Sequence, residues 1–532
     1  MSTPSIPRNT HVGWIRAALA GLLSVCIGLA IGQLVASLRN KATSPVLAVG
    51  EAVIDRTPTP LKDWAIQHFG SNDKLVLLSS VTLGVLILAI VAGLLARRML
   101  LLGAALLVVM LVVAGYAVLS RPYGSVGQLL PTVAAGVVGV IALVVLMALA
   151  GDATAAGLLQ KVRALLPNAS KNDGEGVRAS RRSFIIGSTT TAVLAAIGAY
   201  SAQRINDAKS ALGIKLPAAR TPAPAIPVGL DTKVPGITPL RTPNGSFYRV
   251  DTELSTPTLD ADSWELHIDG DVENPYKISY SDLIDMGLEE QNITITCVSN
   301  PVGGPYAGGA TWRGVSTAKL LAKAKVRNPE RPDLQVLSTS FDGFTISTPL
   351  GALTDNRGAL LAVGMNGEPL PRAHGFPARL VTPGLYGMCG CTKWITRMTV
   401  TTFADKKAYW TQRGWGTAVK IKPTARIDVP GSLATVPAGK VTAGGIAWAQ
   451  GEGVVKVQIS LDNGPWTDAM MGPDVNVDYW RQWAYVIPNV KSGQHTLQAR
   501  VIYGDNQQQS TTSAPVFPDG SSGIEQRVFL VS

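Results

Sequence analysis

Four long apolar runs precede residue 151: Ala17 to Leu38, Leu75 to Ala96, Met99 to Leu119, and Leu129 to Ala150. Each has about the 20 residues that a helix needs to cross a bilayer core. A fifth, weaker run spans Phe184 to Ala202, diluted by Gly187, Ser188 and three threonines. Beyond residue 244 the pattern shortens and alternates. Trp264-Glu-Leu266-His-Ile268-Asp reads as a half-buried strand. Ser281 before Asp282-Leu-Ile is a helix-start signal, and Thr317-Ala-Lys-Leu-Leu-Ala-Lys-Ala predicts a short helix. Leu360 to Val363 and Ala378 to Val381 read as strands ended by Asn366-Gly367 and Pro383-Gly384. Towards the C-terminus, Val455, Val457, Ile459 and Leu461 alternate with polar residues up to Asp462-Asn-Gly464, and His495 to Val501 repeats the alternation.

These patterns predict a helical membrane bundle of about five spans over 1–202 and a mixed α/β domain over 244–417. An all-β domain over 418–532, of the immunoglobulin-like sandwich type, follows. Between the first two, residues 203–243 hold Pro217, Pro222, Pro224, Pro227, Pro235, Pro239 and Pro243 among Ala and Thr, which predicts a semi-extended tether.

Composition agrees: of 532 residues, 46% are hydrophobic and only 16% charged. The first run lacks a cleavable-signal pattern and reads as an anchor. Lys161, Arg163, Lys171, Arg178, Arg181 and Arg182 lie between the fourth and fifth runs, and Arg97-Arg98 between the second and third. Positive charge favours the cytoplasmic side, so five spans place everything after Ala202 outside. Arg39, Lys41, Arg56 and Lys62 in the first outer loop run against that rule. Ala179-Ser-Arg181-Arg182-Ser-Phe184 resembles a twin-arginine export signal, as suits a domain that folds around a cofactor before crossing. The spans hold no histidine pair for haem and no ionisable residue at mid-depth. The net charge of +11 is spread through loops without a basic, aromatic-interleaved face, which argues against nucleic-acid binding.

Candidate chemistry centres on Ile293-Thr-Ile-Thr-Cys297-Val-Ser-Asn300-Pro-Val-Gly303-Gly304. A β-branched run delivers one thiol into a turn, a setting that suits a soft metal. Cys389-Gly-Cys391 lacks zinc spacing and reads as a pair of buried thiols. Gly303-Gly304 and Gly308-Gly309 lack a phosphate-loop fingerprint and read as backbone hinges.

Five pieces in order resemble the molybdopterin-binding domain of the sulfite oxidase family. They are Cys297-x-x-Asn300, Thr311-Trp-Arg-Gly-Val, Ala362-Val-Gly-Met365-Asn366-Gly367-Glu-Pro-Leu370-Pro, His374-Gly-Phe-Pro-Ala-Arg379-Leu-Val-x-Pro383-Gly384, and Lys393-Trp394. The resemblance implies a molybdenum–molybdopterin cofactor with Cys297 as the metal's thiolate ligand. It implies that His374 and Arg379 hold the pterin and its phosphate, and that Arg249 lies close to the metal as a catalytic group. Lys393 and Asp342 are further cofactor contacts, and Asn300 fixes the loop beyond the cysteine. Gly444 to Trp448, Ser460 to Gly464, Tyr479-Trp480-x-x-Trp483 and Gly493-x-His495 resemble the family's C-terminal, dimer-forming domain. The three aromatics are expected in its core.

Two departures bear on the substrate. Sulfite-oxidising members carry an arginine shortly after the Cys-x-x-Asn piece, whereas Pro301-Val302-Gly303-Gly304 has none before Arg313. Trp415 stands where those members present an active-site tyrosine. The resemblance therefore implies two-electron oxygen-atom transfer on a small substrate other than sulfite, with electrons exchanged with a separate partner. The alternatives are a reductase repairing oxidised sulfur, and a non-catalytic envelope protein that retained the fold.

Overall fold

The computed structural model describes residues 12–38, 43–58, 61, 64, 68–69, 73–121, 126–164, 181–210 and 214–532. Lys171, Arg178, Ala179 and Ser180 of the basic loop and the twin-arginine stretch, and Arg39, Lys41 and Lys62, lie outside the described residues. The chain forms two compact units, one of residues 1–212 with 253–258 and the other of residues 213–252 with 259–532.

In the first unit, five helices are long and apolar enough to cross a membrane: Trp14–Leu38, Lys74–Arg98, Leu100–Leu119, Val126–Ala150 and Arg181–Arg204. Their outward faces carry large aliphatic side chains such as Leu83, Ile87, Leu101, Val112 and Ile141. Their inner faces are small. A Cβ on Gly21 would stand 2.1 Å from the Ala89 carbonyl, and one on Gly28 would stand 2.5 Å from that of Ala135. Such close backbone approach is how helices pack where lipid removes the hydrophobic drive between them.

The second unit contains four sheets. One sheet orders Tyr276–Ser279, Glu265–Gly270, Ile395–Thr402, Leu334–Ser340 and Thr345–Pro349, with Glu265–Gly270 parallel to Ile395–Thr402. A second pairs Glu289–Thr296 with Ala307–Ser316 and then Leu360–Met365, which also carries Arg379–Val381. The run of buried side chains over residues 292–296 explains the unbroken β-branched text there. Trp312, fully buried, donates its indole N–H to the Ile293 carbonyl and adds a side-chain bond between these two neighbouring strands. The C-terminal region is all-β, built from a four-stranded sheet and a larger one around a shared core that includes Trp483, Leu497 and Phe529.

Three expectations change. The helix expected at Ser281 begins earlier: Ser279 caps Tyr280–Asp285 through a reciprocal bond with Asp282, because that serine stands three residues before the carboxylate. Gly308 and Gly309 are strand positions, not hinges. A Cβ there would stand 2.6 Å from the Phe247 ring and 2.6 Å from the Tyr479 ring, so these glycines let aromatic rings lie flat on the strand. Nor is the proline-rich segment a free tether. Arg220 N–H binds the Leu288 carbonyl, Asn292 Nδ2 binds that of Pro224, and Thr242 N–H binds that of Gly309. Val234, Ile237 and Leu240 are buried, and prolines suit an extended segment that makes few backbone hydrogen bonds.

Tyr479, Trp480 and Trp483 are all buried, but only Trp483 lies in the C-terminal core; Tyr479 and Trp480 pack in a separate cluster with Leu240, Val298 and Ala307. Tyr479 and Trp480 both donate to the Leu240 carbonyl. Replacing Trp312 with Ala removes the ring on which this half of the unit is packed. We expect a loss of about 3–5 kcal/mol, read as the denaturant midpoint of the purified chain; a shift within 1 kcal/mol, of the size ordinary surface changes give, would contradict the placement.

Candidate functional site

Cys297 leaves the end of strand Glu289–Thr296 in a fixed turn. Its N–H donates to the Tyr306 carbonyl (3.0 Å) and its own carbonyl accepts from Asn300 N–H (3.1 Å). Asn300 Oδ1 accepts from Tyr306 N–H at 2.8 Å, and the Asn300 carbonyl accepts from Ser521 Oγ at 2.7 Å. Asn300 thus fixes the loop geometry, with the C-terminal region holding its far side. The half-buried thiol touches Ser299 Oγ at 2.9 Å. Burial pushes its pKa up, against the Ser299 hydrogen bonds and the nearby Lys393 charge.

A short turn over Arg372–His374 and the strand Arg379–Val381 bring two more expected residues together. Arg379 is 4% exposed. Its Nη1 donates to the His374 carbonyl (3.1 Å), its Nη2 to that of Cys391 (3.4 Å), and its guanidinium lies 5.0 Å over the Trp312 ring. Its Nε is buried without a partner. Burial depresses the guanidinium pKa, yet an arginine remains a cation. His374 Nε2 faces the Asn244 carbonyl at 2.9 Å, so the neutral ring carries its proton there. Burial first, and the Arg379, Lys393 and Arg249 charges with it, push its pKa down to about 4.

Lys393 and Arg249 converge on one carboxylate. Lys393 Nζ lies 2.7 Å from Asp251 Oδ2 and Arg249 Nε 2.8 Å from the same oxygen. Burial pushes Lys393 down to about 8, opposed by Asp251, and its ammonium lies 4.8 Å over the Trp394 ring. Arg249 is the more open of the two, its side chain 38% exposed.

Asp342 behaves differently. Its carboxylate accepts the Phe344 N–H in the turn before Thr345–Pro349. That turn runs beside the others, since Phe341 N–H binds the Trp394 carbonyl, but Asp342 bonds to none of Arg249, Arg379 and Lys393. Arg313 is not brought to the thiol either, because Glu290 and the Pro217 carbonyl hold it. Trp415 packs between Trp410 and Phe517, with ring centroids 6.1 and 5.2 Å away. Cys389 and Cys391 are buried free thiols, both with raised pKa from burial.

Sequence reasoning gave no role to Asp251, Asn244 or Tyr248, and met Trp312 only as part of its motif. The signal for Asp251 was its i+2 spacing from Arg249; Asn244 meets His374 across 130 residues, which left none. Arg426, from strand Thr424–Val429, also reaches the thiol loop, donating to the Gly304 carbonyl at 3.2 Å.

Residues 253–410 match the family described as the oxidoreductase molybdopterin binding domain. The chain thus carries a molybdopterin-binding oxidoreductase domain, and the relatives it matches include sulfite oxidases. It is 29% identical to the mitochondrial sulfite oxidase of Macaca fascicularis, over 52% of this chain and 58% of that protein. It is 32% identical to the NADPH nitrate reductase of Fusarium oxysporum, over 26% of this chain and 17% of that protein. Thus the chain spans little more than half the length of the macaque relative. Among solved structures it resembles the sulfane dehydrogenase SoxCD of Paracoccus pantotrophus, at 21% identity and a TM-score of 0.47, covering 55% of this chain and 83% of that one.

The residues present fit this cofactor. A buried guanidinium with an unanswered N–H matches an anionic group such as a phosphate, and a soft thiol stands nearby for the metal. The neutral His374 yields a pH test on cofactor-free protein. Between its ordinary value of 6.5 and about 4, the unfolded chain binds a proton that the native ring refuses, so stability falls as pH falls through that window. The loss reaches up to about 3 kcal/mol. Thermal melting of wild-type and His374→Gln chains from pH 7 to 4 should show a shallower decline in the variant. Equal slopes would mean that His374 is charged in the fold.

Proposed function

We propose that this protein is a membrane-anchored molybdenum-cofactor oxidoreductase that transfers an oxygen atom, with two electrons, to or from a small substrate other than sulfite. The observation that carries this reading is the buried Arg379 with its unpartnered Nε, sharing one interior with Cys297, His374 and Lys393. In this reading Cys297 ligates the metal. Arg379 and Lys393 bind the phosphate and pterin, and neutral His374, anchored on the Asn244 carbonyl, presents Nδ1 as an acceptor. Arg249, oriented by Asp251, lines the approach to the metal. Asn300 holds the thiol loop in register, and Asp342 supports the cofactor pocket through its turn. When bound, the molybdenum centre supplies the two-electron, oxygen-transferring chemistry. The protein's part is to position it, exclude water and set the charge around it.

Substrate choice follows from the side chains near the thiol. Arg313 is committed to Glu290, and the loop 301–304 supplies no cation, so a dianion such as sulfite meets poor compensation. The five apolar helices support anchoring in the cytoplasmic membrane, and Arg97, Arg98, Arg181 and Arg182 support an extracytoplasmic position for residues after about 203. Within that portion we assign 244–417 to the catalytic domain and 418–532 to an immunoglobulin-like domain that forms a homodimer. Electrons pass to or from a separate carrier.

Molybdenum and pterin content of the chain, purified from a host that makes the cofactor, tests the proposal. About one molybdenum per chain is expected, with Cys297→Ser folded but inactive and its metal depleted or altered in spectrum. Wild-type chain without molybdenum would overturn the reading, and full activity in Cys297→Ser would remove the ligand role.

A further inference from the structure

The outer face of the larger C-terminal sheet carries a cleft that none of the roles above uses. In strand Gly493–Tyr503 the side chains of Leu497, Ala499 and Val501 are buried in the core, so Gln498 and Arg500 face outward. Gln526, on the neighbouring strand Glu525–Val531, stands opposite Gln498 in the antiparallel register, which puts two amides side by side. Trp466 is half-buried in the turn between strands Val454–Leu461 and Thr467–Asp468. The Arg500 guanidinium lies 4.2 Å over its ring, and Gln458 Oε1 holds that guanidinium through Nε (3.0 Å) and Nη2 (2.7 Å). The loop bearing Thr511 and Ser513 is fixed as well. Ala514 and Ser522 exchange backbone bonds of 3.0 and 3.2 Å, and Ser522 Oγ donates to the Thr512 carbonyl at 2.8 Å. Gln498, Gln526, Trp466, Thr511 and Ser513 line one cavity of about 770 Å³, which reaches Val302 and Gly303 of the thiol loop.

We propose that this cleft is a binding site for a neutral glycan, a short run of sugar rings without charged substituents. The inference goes beyond the oxygen-transfer function and does not depend on the cofactor. The lining is matched to hydroxyls. Gln498, Gln526, Thr511 and Ser513 each offer both a donor and an acceptor, and none of these side chains has a hydrogen-bond partner among the described residues. A sugar hydroxyl also both donates and accepts, so it can answer either end of each group. The indole supplies the apolar surface that the C–H face of a sugar ring needs, and Arg500 with Gln458 fixes its tilt in advance. Charge argues against an anionic ligand. The two charged residues lining the cavity, Glu525 and Arg527, pair with each other, Nη2 to Oε1 at 2.5 Å. Arg500 is committed to the indole and the Gln458 amide. The volume falls within the range of about 300–1,000 Å³ usual for small-ligand sites.

The test uses the full chain in phospholipid nanodiscs, because maltoside detergents would themselves present a glycan. Chitotetraose, cellotetraose and maltotetraose, with a heparin tetrasaccharide beside them, are titrated calorimetrically into wild-type, Trp466→Ala and Gln526→Ala chains. Melting temperatures are measured first. Gln526 is exposed, so its replacement keeps the test decisive should Trp466→Ala fail to fold. At least one neutral tetrasaccharide should bind wild type, and each folded variant should weaken it about tenfold. No binding of any neutral tetrasaccharide would overturn the proposal, as would affinities unchanged in the folded variants. Tighter binding of the heparin fragment would overturn the neutral class. A dimer in sedimentation that Trp466→Ala converts to monomer would assign the cleft to a second copy of the chain and overturn the glycan reading. The titration needs no molybdenum, so its failure and that of the proposed function are read separately.

Discussion

A guanidinium taken out of water constrains the interior of the catalytic domain. Arg379 is nearly inaccessible, and an ionised side chain in that position costs several kcal/mol unless its surroundings answer it. The fold answers with backbone and ring. Two carbonyls, from His374 and Cys391, and the face of Trp312 meet it, and none of these is a full negative charge. The turn carrying His374, the short helix Gly387–Gly390 leading to Cys391 and the strand bearing Trp312 therefore all stand where this one cation needs them. The positive potential left over makes the neighbourhood receptive to an anion, and it adds to burial, the larger cause, in keeping His374 neutral.

The thiol loop depends on a second set of contacts, which come from the C-terminal sheets. Ser521 and Arg426 bind the Asn300 and Gly304 carbonyls, and Gly303, in the left-handed region at φ 75°, leaves room for the Glu525 carboxylate. Glu525 is itself buried, accepts the Ile427 N–H and pairs with Arg527. Cys297 is therefore positioned by two parts of the chain more than a hundred residues apart. A loop fixed on both sides can present a ligand atom without the rotamer and backbone freedom that would blur its direction.

Much of this was legible in the sequence because local physics set it. Helix length and apolarity marked the five spans, β-branched runs marked the Cys297 strand, and Asp462-Asn-Gly464 marked its hairpin through the left-handed conformations those residues tolerate. Cys297, His374, Arg379 and Lys393 were identified by resemblance and are found in one interior, while Asp342 is engaged by its own turn. What stayed hidden is non-local. Asn244 meets His374 across 130 residues, and Asp251 meets Lys393 across 142, with no pattern in either segment announcing the partner. The proline-rich segment misled for the same reason, since composition reports that a stretch lacks a core of its own, not that it borrows one.

That borrowed core fixes where the catalytic portion can be excised. A polypeptide begun at Asn244, where the α/β pattern starts, would strip Val234, Ile237 and Leu240 from their seats. It would also leave the ring groups of Tyr479 and Trp480, which point their donors at the Leu240 carbonyl, buried against a gap. The natural cut lies near Gly213, some thirty residues upstream, where the second unit begins. The proline-rich segment thus belongs to the second unit, and the hydrolytic fragment that survives limited digestion should carry it.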